Sequence, residues 1–109
     1  MDLASKKCVP CEGGTPPMPR DEAEILLKDV TGWVINNEGL LKLEKKFKFA
    51  DFKKSLVFVN KVGEIAEKEG HHPNICFTWG KVEISLWTHA VGGLSENDFI
   101  LAAKIDKLN

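Results

Sequence analysis

The sequence has no tyrosine, three cysteines and five prolines, and its apolar runs never exceed a few residues. With no continuous apolar stretch of about 18 residues it offers no candidate membrane helix, and its N-terminus lacks the apolar region of a signal peptide. The expectation is a chain that stays inside a cell, in the cytoplasm, with a nuclear or organellar address left open and no membrane partner. Three cysteines in that setting read as free thiols, not a disulfide framework. Nor does charge of one sign dominate: 15 Lys and Arg stand against 16 Asp and Glu, a net charge of -1. Counterion release therefore cannot drive strong binding to nucleic acid, and no direct nucleic-acid binding is expected. Lysines concentrate locally only between Lys42 and Lys54.

What is present fits one small domain. The 109 residues are 43% apolar and 28% charged, within the globular range, and a chain of this size buries roughly two thirds of its unfolded surface around one core. Residues 1–19 hold four of the five prolines together with Cys8, Cys11, Gly13 and Gly14. They read as an extended N-terminal arm, not a helix, followed by a domain over residues 20–109.

From residue 20 the pattern is periodic. Asp21 and Glu22, followed by Ala23, Leu26, Leu27 and Val30, predict a helix over 21–29 that ends near Gly32. Residues 33–35, then Leu41, Leu43, Phe47 and Phe49, show a period of two around the turn-forming Asn36-Asn37-Glu38-Gly39, which predicts a hairpin. Phe52, Leu56, Val59, Val62 or Gly63, and Ala66 recur every three or four residues, so 50–69 is an amphipathic helix with Gly70 placed for a left-handed cap. Ile75 and Phe77, then Val82, Ile84 and Leu86, alternate around Trp79-Gly80. A two-residue turn there pairs Phe77 with Val82 and Ile75 with Ile84. Ser95, with Asp98 three residues on, starts a last helix over 95–108. The order α-β-β-α-β-β-α predicts an α+β fold: a four-stranded antiparallel sheet with helices on one face.

All three histidines, His71, His72 and His89, fall within this second half. Extending the hairpin register backwards puts His72 opposite Trp87 and Gly70 opposite His89, on the sheet face away from the core. Pro73 forces His72 out of helical geometry and Gly70 can take positive φ, so adjacent side chains can be aimed at one pocket. Imidazole exchanges protons near neutral pH, and a cluster suits general acid–base chemistry. The plainer explanation is three solvent-facing loop histidines. A three-histidine zinc site ranks well below acid–base chemistry, because adjacent ligands such as His71 and His72 seldom reach one ion, so no metal is expected. Asp98 can orient an imidazole while also capping the last helix. Glu67, one turn before His71, can do the same or remain a solvated carboxylate. Trp79 and Trp87 can stack on a flat heterocycle or simply pack. Cys8-Val9-Pro10-Cys11 lacks both a four-ligand zinc set and the strand-to-helix context of a redox motif, and reads as part of a structural or incidental arm.

Glu67-Lys68-Glu69-Gly70-His71-His72-Pro73, then Trp79, Thr88-His89 and Asp98, with Gly92-Gly93-Leu94-Ser95-Glu96-Asn97-Asp98 around the last, resemble the pterin-4a-carbinolamine dehydratases. The resemblance spans residues 20–108. It implies loss of water from a 4a-hydroxytetrahydropterin, as in tetrahydrobiopterin recycling, by a hydro-lyase without metal or redox cofactor. By the same resemblance His71 and His89 are an acid–base pair, and His72 mainly binds substrate. Glu67, Pro73, Trp79, Trp87, Thr88 and Asp98 are supporting or substrate-binding residues, and the assembly is a homodimer or homotetramer. Two other roles stand beside it: a dimerisation cofactor or transcriptional coactivator, as among animal relatives, and a place in molybdopterin metabolism.

Overall fold

The period-two segments pair into one antiparallel sheet of order β1-β2-β4-β3, formed by β1 (Val34–Asn36), β2 (Lys42–Lys48), β3 (Asn74–Thr78) and β4 (Lys81–Leu86). Helices α1 (Arg20–Leu27), α2 (Phe52–Glu69) and α3 (Glu96–Asp106) complete the expected order. This computed structural model describes residues 3–9 and 15–108. The Trp79-Gly80 turn sets the predicted register, Ile75 against Ile84 and Phe77 against Val82. β4 continues the rows into β2, with Val82 facing Phe47 and Leu86 facing Leu43.

These inward residues join one buried cluster with Phe58 and Val62 of α2 and Phe99, Leu101 and Ile105 of α3. The outward face is polar. Glu44 accepts from Asn36 Nδ2 at 3.1 Å and Ser85 Oγ at 2.8 Å, and Lys46 lies 3.7 Å from Glu83. That division puts the helical layer on one side of the sheet.

Lys45 breaks the alternation, because it occupies an inward row beside Ile84. Its apolar stem stays in the core while Nζ reaches Asp106 Oδ1 at 2.9 Å and the Thr31 carbonyl at 2.7 Å. The Trp33 indole N–H donates to the same Asp106 oxygen at 2.9 Å. One carboxylate at the end of α3 thus satisfies two part-buried donors from the sheet side.

α2 begins at Asp51, whose side chain accepts from Lys54 N at 2.8 Å, and ends on Gly70 with φ 67. Its buried stripe is Ser55, Phe58, Val62 and Ala66, rotated from the expected one, and Phe52 and Leu56 are exposed. The cause is Ser55, whose hydroxyl bonds to the Asp51 and Trp79 carbonyls. A small polar residue lets the helix approach the hairpin turn where leucine would not fit.

α3 is buried on most of its circumference, from Asn97 to Ile105. A helix apolar on two flanks needs two covers. The sheet and α2 supply one, and the N-terminal segment supplies the other. Residues expected to be wholly extended instead include a single 3-10 turn, Leu3–Ser5, with Leu3 in the core and the Ala4 carbonyl accepting from Lys104 Nζ at 2.8 Å. The prolines begin only at residue 10, so this turn keeps its amides. Pro10, Cys11, Gly13 and Gly14 lie outside the described residues. Cys76 is a free thiol.

Replacing Asp106 with alanine strands the Trp33 N–H and leaves the Lys45 ammonium with the Thr31 carbonyl but no counter-charge. The expected loss is about 1–3 kcal/mol of unfolding free energy, read by urea denaturation.

Candidate active site

Three interruptions of regular structure meet at the end of the sheet away from the Trp79-Gly80 turn. The first is the link from α2 to β3. Gly70 takes the left-handed conformation, the His71 amide bonds back to the Ala66 carbonyl at 3.2 Å, and β3 starts only at Asn74. Pro73 has no N–H to extend the ladder. The second is the exit from β4, where Thr88 N donates to the Gly93 carbonyl at 2.7 Å and a 3-10 turn, His89–Val91, bulges between them to end on Gly92 with φ 68. The third is the start of α3.

Asp98 joins all three. It is fully buried, yet Oδ1 lies 2.6 Å from His71 Nε2, and Oδ2 accepts from Thr88 Oγ1 and from Ser95 N, each at 3.0 Å. Thr88 commits its hydroxyl hydrogen to the carboxylate, so the 2.7 Å contact between Ser95 Oγ and Thr88 Oγ1 has Ser95 as donor. The same Ser95 and Asp98 close a reciprocal capping box. One carboxylate therefore starts a helix and fixes an imidazole. A carboxylate accepts, so Nε2 of His71 carries the hydrogen and Nδ1 is the nitrogen Asp98 leaves unengaged.

His72 and His89 are exposed. His72 Nε2 sits 3.4 Å from Glu67 Oε1, a solvent-facing pair of small energetic weight. Glu67 thus meets His72 and not His71. His89 stands edge-on to Trp87, ring centroids 4.9 Å apart, and Lys42 Nζ lies 4.4 Å from the Trp87 ring centroid.

All three histidines, with Trp87 and Thr88, line one cavity of about 370 Å³, within the usual size of small-molecule sites. The cluster does not lie on the outward sheet face, as the extended register suggested. Pairing stops at Asn74 and Ser85, and His71 turns into the helical layer to meet Asp98. Trp79 is 66% exposed at the hairpin turn, at the far end from the cavity, because the turn that sets the register is opposite the strand ends that carry the histidines. Pro73 and Glu67 line a more open neighbouring groove along α2. Among the described residues, no three His, Cys, Asp or Glu side chains stand close enough to hold one metal ion.

Sequence reasoning missed Glu69, Asn97, Cys8 and Val9, which also line the cavity. Glu69 carried a signal. A carboxylate at the negative end of a helix dipole is misplaced unless something else engages it.

Residues 16–108 match the model of a family described as Pterin 4 alpha carbinolamine dehydratase. A Rubrobacter xylanophilus protein is 49% identical over 107 residues, covering 98% of each chain. One from Alkaliphilus metalliredigens is 49% identical over 107 residues, covering 97% of this chain and 95% of its own. Both carry provisional pterin-4-alpha-carbinolamine dehydratase names. Among solved structures, a transcriptional coactivator/pterin dehydratase from Brucella melitensis aligns with TM-score 0.79 at 28% identity, covering 84% of this chain and 97% of that one. A pterin dehydratase-like protein identified as a RuBisCO assembly factor in the alpha-carboxysome aligns with TM-score 0.61 at 27% identity, covering 71% and 88%.

Thr88→Val removes one donor from a carboxylate that has no access to water. It is expected to lower stability by about 1–3 kcal/mol in urea denaturation, and His71→Ala on that background to add less than it does alone, as coupled neighbours do.

Proposed function

Since the chain belongs to the pterin 4 alpha carbinolamine dehydratase family, we propose that it removes water from a 4a-hydroxytetrahydropterin to give the quinonoid dihydropterin. The observation that carries this reading is a cavity lined by three imidazoles, one of them clamped to a fully buried carboxylate. In the reaction the C4a–O bond breaks and the hydroxyl leaves as water with a proton from a general acid. The N5 lone pair forms the C4a–N5 double bond, and a base takes the N5 proton. Electrons balance within the substrate, so the stoichiometry requires no redox partner.

His71 and His89 are the acid–base pair in this proposal. Asp98 positions His71, Thr88 supports Asp98, His72 binds substrate, and Trp87 offers a flat apolar wall. Glu67 acts on His72 alone. The proposed substrate is 4a-hydroxytetrahydrobiopterin, in cofactor recycling in the cytoplasm. No helix among the described residues is long and apolar enough to cross a membrane.

A partner-binding role is the second reading. It is favoured by the coactivator and assembly-factor names of the two structural neighbours and by exposed Phe52, Leu56 and Val57 on α2. Such a role does not use the histidines. Self-association into a dimer or tetramer is part of the proposal, since β1 and β3 are open sheet edges.

His89→Ala is the cleanest test because His89 is exposed and outside the core. Dehydration of synthetic 4a-hydroxytetrahydropterin, followed by ultraviolet absorbance, is expected to lose roughly 10²–10⁴-fold in kcat, with the wild-type rate indifferent to chelator. A wild-type rate no higher than the spontaneous one sinks the enzymatic reading and leaves the partner-binding one.

A further inference from the structure

The acid–base chemistry uses the histidine side of the cavity and leaves another wall unexplained. That wall is formed by Cys8, Val9, Glu69 and Asn97. Glu69 Oε1 accepts from Cys8 N at 2.9 Å. The Asn97 carboxamide meets Val9 at two points: Oδ1 accepts from Val9 N at 3.0 Å, and Nδ2 donates to Val9 O at 2.6 Å. The Cys8 thiol donates to the Asn97 carbonyl at 3.6 Å. A side-chain amide here imitates an adjacent strand.

Both clamping side chains are buried, Asn97 as a residue only 5% exposed and the Glu69 side chain 7%. Burying a carboxylate and a carboxamide is costly unless they are bonded; the N-terminal segment supplies bonds to both, and Lys104 Nζ, 3.8 Å from Glu69 Oε2, supplies the opposite charge. The segment is anchored on both sides of the clamp. Leu3 is in the core, Lys6 Nζ lies 3.2 Å from Glu96, and Met18 N donates to the Leu94 carbonyl at 2.8 Å. With its polar main-chain groups engaged by the clamp, the segment has its apolar Val9 side chain 64% exposed and its Cys8 thiol part-buried at the cavity.

We infer that Cys8 and Val9 form a substrate-covering wall of the cavity, held by Asn97 and Glu69, and that Asn97 is a positioning residue for ligand binding; the inference rests on the dehydratase reading above. A flat reduced pterin needs an apolar cover away from the imidazoles. Such a wall touches ground state and transition state alike, so its loss raises KM and spares kcat.

The test uses the full chain, with exposed Cys76 as internal reference. Alkylation of Cys8 and Cys76 is followed by peptide mass spectrometry with and without 7,8-dihydrobiopterin, which keeps the bicyclic ring but has no 4a-hydroxyl to lose. Binding of the same compound is read independently by tryptophan fluorescence. Bound pterin is expected to slow Cys8 alkylation several-fold and leave Cys76 unchanged. Asn97→Ala is expected to speed Cys8 alkylation and raise KM about tenfold with kcat within about twofold. Val9→Asp, at an exposed position that the fold does not need, is expected to raise KM similarly. Two results overturn the inference while leaving the dehydratase reading intact: a bound pterin that does not protect Cys8, or Asn97→Ala that frees Cys8 with KM unchanged. Failure of the wild type both to bind dihydrobiopterin and to dehydrate the carbinolamine overturns the dehydratase reading and the inference with it.

Discussion

A single buried carboxylate holds the cavity end of this fold together. Enclosing an ion costs several kcal/mol unless its oxygens are bonded. Asp98 meets that condition with the His71 imidazole, the Thr88 hydroxyl and the Ser95 amide, at the N-terminus of α3 where the helix dipole favours negative charge. These partners come from three separate chain breaks: the α2–β3 link, the exit of β4 and the loop before α3. The carboxylate therefore stabilises the loops and orients the imidazole in one arrangement, so that His71 is preorganised before any ligand arrives.

Much of the fold was legible because its determinants are local. Trp79-Gly80 permits one two-residue turn, and the apolar alternation on either side then admits one register, since a slip by one residue would put Ile75 and Phe77 on the face opposite Val82 and Ile84. Gly70 and the Ser95/Asp98 box were readable for the same reason. What was not legible depended on tertiary partners. Lys45 looks like an outward residue until Asp106 is brought to it from 61 positions away. Ser55 looks polar and exposed until the hairpin turn offers its carbonyl, and that contact rotates the buried stripe of α2.

The site divides along the same line. The three histidines were visible as a group because they share one supersecondary unit, and Asp98 because its capping role is local. Extending the hairpin register past Asn74 misplaced His71, since Pro73 ends the ladder and left-handed Gly70 redirects the chain into the helical layer. Glu69 gave only its place at the negative end of α2 as a sign and Asn97 almost none, because their cavity-side partners are 61 and 88 residues away in a segment whose prolines and glycines suggested an extended arm.

The histidines also bear on what kind of protein this is. His71 is needed structurally, since without it one oxygen of a buried carboxylate loses its partner. No such need accounts for His72 or His89. Both are exposed and contribute nothing to the core, and the ion pair of His72 with Glu67 is at the solvent. A domain working only through an exposed helix face could replace either at little energetic cost. Their placement on the cavity shared with the Asp98-bound imidazole supports the proposed proton transfer and leaves the α2 surface available for other contacts.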